Sequence, residues 1–197
     1  MVLELRELFG GAMSTELPSE MLDMSNFRQI PDNQEVFADT NDHSFIVEIV
    51  EMAENAGDQS IVEYHFKQLV QDNEAADYNI LERETVSEAD KPVIKSPNPS
   101  NSSITISTLT GVQTIAKFNE ATKSQDAYNQ VVIFMAVVRI PEHTADILLT
   151  ANCPVSVGAD SSSTALDIQG DRDLQGMHCL FQKAVNTFRI KDWSLFA

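Results

Sequence analysis

The run Val131-Val132-Ile133-Phe134-Met135-Ala136-Val137-Val138-Arg139-Ile140 constrains this chain more than any other feature. β-Branched residues lose little by being extended, and an apolar run with no alternation is the pattern of a strand buried on both faces. Pro141 closes the run, and after a short turn the segment Ala145 to Ala151 alternates as an antiparallel neighbour would. Phe45-Ile46-Val47-Glu48-Ile49-Val50-Glu51-Met52 is a second strand of the same buried kind.

The remaining elements arrange themselves around these strands. Met1 to Leu17 reads as two short strands joined at Gly10-Gly11, a pair suited to a tight turn. Leu22 to Arg28 reads as a short helical turn that Pro31 stops, and Val36 to Asp39 as a brief strand. Asp58 to Asn73 is a helix, with Ser60 and Glu63 spaced as a capping box and Ile61, Val62, His65, Phe66, Leu69 and Val70 on one face. Tyr78 to Val86 is a strand. Ile104 to Ser107 and Val112 to Phe118 read as a hairpin around Gly111. Asp173 to Phe188 is the last helix, and the tail from Trp193 is apolar enough to dock on the body. Mobile loops are expected near 87–103, rich in Ser and Pro, and near 156–171, which contains Ser161-Ser162-Ser163. Strands that follow one another directly make an antiparallel sheet, so the expected fold is an α/β sandwich of the α+β type, a largely antiparallel central sheet flanked by helices. One domain over 1–197 is expected, with the loops as insertions.

Charge narrows the partners. Thirty acidic against thirteen basic residues give a formal net charge of −17, which repels phosphate backbones and anionic lipid and favours a basic partner. Nucleic acid and membranes are therefore not expected partners. No apolar run approaches the ~20 residues of a membrane helix, and the start of the chain alternates apolar and charged residues unlike a signal peptide. Cys153 and Cys179 are too few for a disulfide framework, which fits a reducing intracellular compartment.

The search for catalytic chemistry returns little. His43, His65, His143 and His178 contain no pair at zinc-helix spacing, and there is no phosphate-binding glycine motif and no Gly-x-Ser-x-Gly. The acidic stretch from Asp167 to Asp173 lacks calcium-loop spacing. No cofactor and no metal are expected. His65 and His178 fall beside apolar helix faces and are expected to be partly buried structural side chains, whereas His43 and His143 fall in exposed turns. Cys179 is expected to be buried and structural.

Between Asn26 and Asp39 the composition changes. Arg28-Gln29-Ile30-Pro31-Asp32-Asn33-Gln34-Glu35-Val36 is polar around a proline-fixed turn, and Asp32 and Glu35, three apart, are placed to project as paired acceptors. An ordinary capped turn before a strand explains the same residues.

Phe9-Gly10-Gly11-Ala12, Met21-Leu22-Asp23-Met24-Ser25, Arg28 and Pro31-Asp32-Asn33-Gln34-Glu35-Val36-Phe37 resemble the Ran guanine nucleotide release factor family, the Mog-type nuclear import proteins. The likeness continues through Ile46 to Glu51, Tyr64-His65-Phe66, Arg139-Ile140-Pro141, Asp146 to Thr150 and Ser194-Leu195-Phe196, and skips 87–103 and 156–171. The resemblance implies a sandwich shared with an extrinsic photosystem protein family (PsbP-like), binding to the small GTPase Ran, release of its nucleotide, and a part in nuclear import from nucleus and cytoplasm. It also implies a regulator of a GTPase rather than an enzyme, and a monomer is expected. It places the contact on Asp32 and Glu35, to which Arg28, Asn33 and Gln34 are added by proximity. Two readings stand beside it: an acidic scaffold that binds a basic partner without releasing nucleotide, and a small hydrolase using His65 or Cys179.

Overall fold

A computed structural model describes residues 2–58, 60–86, 104–116, 127–158, 161 and 174–196. The stretch 87–103 and most of 156–171, where mobile loops are expected, lie outside the described residues, as does the distal end of the hairpin expected at 112–118.

Among the described residues are ten strands and two α-helices, with short 3-10 turns beside them: β1 (Leu3–Leu8), β2 (Met13–Pro18), β3 (Leu22–Asp23), β4 (Gln34–Ala38), β5 (Ser44–Glu51), α1 (Ile61–Asp72), β6 (Asp77–Thr85), β7 (Thr105–Ala116), β8 (Tyr128–Ile140), β9 (Ala145–Ser156), α2 (Leu174–Thr187) and β10 (Arg189–Ile190). A seven-stranded sheet runs β3-β4-β5-β9-β8-β7-β6, and a three-stranded sheet runs β1-β2-β10. All the described pairings are antiparallel.

β8 sits in the interior of the large sheet and is buried on both faces, as its composition requires. Ile133, Met135 and Val137 pack with Ile61, Val62 and Phe66 of α1. Val132, Phe134, Ala136 and Val138 point the other way, to Met177 and Phe181 of α2 and to Leu8 and Met13 of the small sheet. The alternation of side chains along one strand thus supplies two cores, and the sheet is the middle layer of a sandwich. The tail, Trp193–Phe196, docks on the α2 side as expected.

Four local expectations are corrected. β7 runs straight through Gly111, and the expected hairpin is absent: a Cβ there would lie 2.5 Å from Phe66 Cζ and 3.1 Å from the Asn79 carbonyl oxygen. Glycine is needed for the close approach of α1 to the sheet, not for a turn. Gly111→Ala is therefore expected to cost about 1–3 kcal/mol, read as a lower urea midpoint, with part recovered by adding Phe66→Leu. The Ser60 hydroxyl donates to the Gly57 carbonyl at 3.0 Å rather than capping α1. Glu63 is held by Lys67 and Arg83 instead of completing a capping box. Leu22 to Arg28 is not helical throughout, because Leu22 and Asp23 pair with Ala38 and Phe37, leaving a 3-10 turn over Met24–Asn26. Cys179 is exposed. It lies two positions from buried Met177 and two from buried Phe181, on the outward side of α2.

Candidate functional site

The polar segment forms the edge of the large sheet beside β3. The Gln34 amide donates to the Pro31 carbonyl at 2.9 Å, so Asp32 and Asn33 are the central residues of a tight turn. The turn is tied to β5 from two sides. The Ile49 amide donates to the Asn33 carbonyl at 2.9 Å, and Asn33 Nδ2 returns a bond to the Ile49 carbonyl at 3.1 Å. Asn33 Nδ2 and Gln34 Nε2 both reach Glu48 Oε1, at 3.4 and 2.8 Å. Asp32 stands exposed at the tip of this braced turn, and Arg28 is exposed on the approach to it.

Glu35 does not project beside Asp32. In β4 it shares a face with Phe37, which is buried, and its Oε1 accepts from the Phe9 amide at 2.6 Å. Burial raises the Glu35 carboxyl above its ordinary value; the Phe9 amide opposes that rise, and the nearby Asp23 carboxylate adds to it. The bond joins two of the segments that carry the resemblance. Phe9, Gly10 and Gly11 have φ of 50°, 64° and 94°, and the left-handed Phe9 is strained unless something holds it. Glu35 is that holder.

The expected pair thus separates into an exposed carboxylate on a turn and a half-buried one that fixes the neighbouring turn. Among the residues proposed from sequence, Asn33 and Gln34 converge on Glu48, while Arg28, Asp32 and Glu35 do not share a hydrogen bond. Glu48 was not singled out as a site residue. The signal for it is a charge in the middle of an otherwise apolar stretch, Phe45 to Val50. Phe27, on the approach to the turn, is 66% exposed, and Leu22, opposite Ala38 at the far end of β4, is 51% exposed.

A charged pair closes the other end of the β4–β5 hairpin. His43, expected to be simply exposed, pairs through Nδ1 with Asp39 Oδ2 at 2.8 Å at the β4–β5 corner. That hydrogen bond, with the buried Cys153 thiol next to the ring, raises His43 to about 9. Burial pushes the Asp39 carboxyl up, but the bonds from His43 and from the Asn41 amide outweigh it and leave it below its ordinary value. A cation whose pKa is raised on folding contributes stability below its unfolded value, and loses it as pH rises through the folded one. The stability difference between the native protein and His43→Gln is therefore expected to be full below about pH 6.5 and to vanish above about pH 9, followed by urea midpoints across that range.

His65 and Cys179, the groups a small hydrolase would use, do not come together. His65 is buried against Asp146 on the α1 face, and Cys179 is exposed on α2, across the sheet. His178 stacks on Phe134 with ring centroids 5.4 Å apart, in line with a structural role. His143, expected to be exposed, instead stacks on Trp193 and Phe196 at 5.4 and 5.2 Å, because the docked tail covers it. No cluster of metal-ligating side chains occurs among the described residues. Among them, too, no helix is long and apolar enough to cross a membrane.

The chain is similar to the Ran guanine nucleotide release factor of Danio rerio, 35% identical over 193 residues that cover 97% of this chain and 98% of that protein. It is 33% identical over 198 residues to the probable Ran guanine nucleotide release factor of Dictyostelium discoideum, covering 98% and 96%. In structure it resembles the Saccharomyces cerevisiae Ran-binding protein Mog1p, with a TM-score of 0.72 at 22% identity over the whole of both chains. It also resembles a cyanobacterial PsbP from Synechocystis, with a TM-score of 0.50 at 13% identity over 95% and 92% of the two chains, which speaks to fold alone. The model of the family described as Ran-interacting Mog1 protein matches residues 6–154, a span holding both the braced turn and the Glu35–Phe9 contact, and the chain belongs to that family.

Proposed function

We propose that this protein binds the small GTPase Ran, promotes release of its bound guanine nucleotide, and thereby supports nuclear protein import. The observation that carries the reading is the exposed Asp32 at the tip of a turn that Asn33, Gln34 and Glu48 hold rigid. A carboxylate held this way loses little freedom when it pairs with a cation of a partner. The exposed Phe27, on the approach to the turn, supplies an apolar ring on the same side of the chain as the charge.

A P-loop GTPase holds its nucleotide with a lysine, backbone amides and magnesium. Asp32 pairs with a basic group that otherwise serves the nucleotide, and Glu35 supports the surface by fixing the Phe9–Gly11 turn. Arg28, Asn33 and Gln34 complete the contact. A partner that binds the empty state better than the loaded one shifts the population toward release. The protein acts as one Ran-binding unit, a regulator and not an enzyme, and works where Ran does, in nucleus and cytoplasm. Titration calorimetry against nucleotide-free, GDP-loaded and GTP-loaded Ran tests this: affinity is expected to be highest for the nucleotide-free form, and equal affinity for all three forms would overturn release in favour of simple docking.

A further inference from the structure

α1 covers only part of its face of the sheet. It packs over β7 and β8, leaving a groove of about 750 Å³ between its other side and the β4–β5 edge. Ile46, Val50, Leu148 and Thr150 line its floor. Tyr64, Gln68 and Asp72, at one-turn spacing on α1, form one wall. The carboxylates Glu48, Glu51, Glu54 and Asp72 stand around it, and no lysine or arginine is among the described residues that line it.

Sheet faces in layered folds are covered by helices that lie ~8–10 Å from their neighbours. The groove is the place beside α1 where the next helix of that layer would lie. Its floor is mostly apolar and its rim carries carboxylates, so the occupant that fits has an apolar face flanked by cations. We infer that this groove docks a basic amphipathic helix of a partner protein. An extended basic strand fits less well, because β5 is already paired on both edges, with β4 and β9, and offers no free ladder. The inference goes beyond the Ran reading and does not rest on it: the groove shares Gln34 and Glu48 with the turn, but Asp32 is not among the residues that line it.

The probe is a fluorescein-labelled Leu/Lys peptide of about 14 residues patterned as an amphipathic helix, against a scrambled peptide of the same composition. Glu51 and Glu54 are exposed, as are Glu82 and Glu84 on the far edge strand, so charge reversal in either pair leaves the core untouched. By fluorescence anisotropy, Glu51→Lys with Glu54→Lys is expected to weaken the patterned peptide by about tenfold or more, while Glu82→Lys with Glu84→Lys weakens it by less than about threefold. The scrambled peptide is expected to bind at least about tenfold more weakly than the patterned one. Equal binding of the two peptides, or equal loss in the two variants, would show that net charge alone attracts the probe and would overturn the inference. Thermal unfolding of both variants, matched to the native protein, shows that lost binding is not lost fold.

Discussion

Asp146→Ala is expected to destabilise the protein by about 3–5 kcal/mol and to lower its melting temperature by roughly 10 °C. Asp146 is fully buried and accepts four bonds. Two come from the Arg139 fork, Nε at 2.9 Å and Nη2 at 3.1 Å, one from His65 Nε2 at 3.0 Å and one from the Ala53 amide at 3.1 Å. Arg139, itself 4% exposed, also donates to the carbonyls of Ala53 and Ala56 at 2.8 and 2.6 Å. The network ties the loop before α1 to β8 and β9. Removing the carboxylate leaves the buried guanidinium with only the exposed Asp58, at 3.4 Å, as counter-charge, which costs more than the pair itself contributes. Asp146→Asn keeps the shape without the charge and is expected to lose most of the same stability.

The same group sets an acid limit. Burial alone would raise the Asp146 carboxyl, but the bonds from His65, Arg139 and the Ala53 amide overcome it and hold it at about 2. A carboxylate depressed on folding contributes stability above its unfolded value and loses it as pH falls through the folded one. Stability drawn from Asp146 is therefore full above about pH 4 and lost towards about pH 2. The difference in urea midpoint between the native protein and Asp146→Asn should shrink over that window, from about pH 4 down to about pH 2.

The largest functional effect is expected at the turn. On the proposed contact, Asp32→Lys replaces an exposed carboxylate that pairs with a basic group of the partner by a cation that repels it, and should weaken Ran binding by about 100-fold with an unchanged melting temperature. Glu35 behaves differently. Glu35→Gln keeps an oxygen to accept from the Phe9 amide and removes only the charge, whereas Glu35→Ala removes both and leaves the left-handed Phe9 unheld. Glu35→Ala is expected to lose about 1–2 kcal/mol of stability and to bind Ran more weakly than Glu35→Gln, read by calorimetry on both variants. Equal loss in the two variants would mean that Glu35 acts by its charge alone.

Much of this was legible in the residues. β8 and β5 followed from their β-branched runs and the two helices from apolar spacing, because burial writes a period that local composition reveals. But β5, expected to be buried on both faces, is buried only through Phe45 and Val47, its other face lining the groove beside α1. Gly111 misled because a glycine that makes room for Phe66 looks the same in sequence as one that makes a turn. The buried charges were visible but unexplained: Arg139 and Asp146 stand out in apolar strands, yet only their opposite positions in the β8–β9 register make them a pair. The braced turn was found by composition. The division of labour between Asp32 and Glu35 was not, because it rests on Asp32 falling in the turn while Glu35 falls in β4 on the face of Phe37, and on the return of the Phe9 turn from a different sheet.

The decisive measurement is release of a fluorescent guanine nucleotide from loaded Ran, followed in time with native protein and with Asp32→Lys. Release is expected to be faster with the native protein, rising with its concentration, and to stay at the intrinsic rate with Asp32→Lys. Release at the intrinsic rate with the native protein, or undiminished acceleration by a folded Asp32→Lys variant, would contradict the role assigned to the turn.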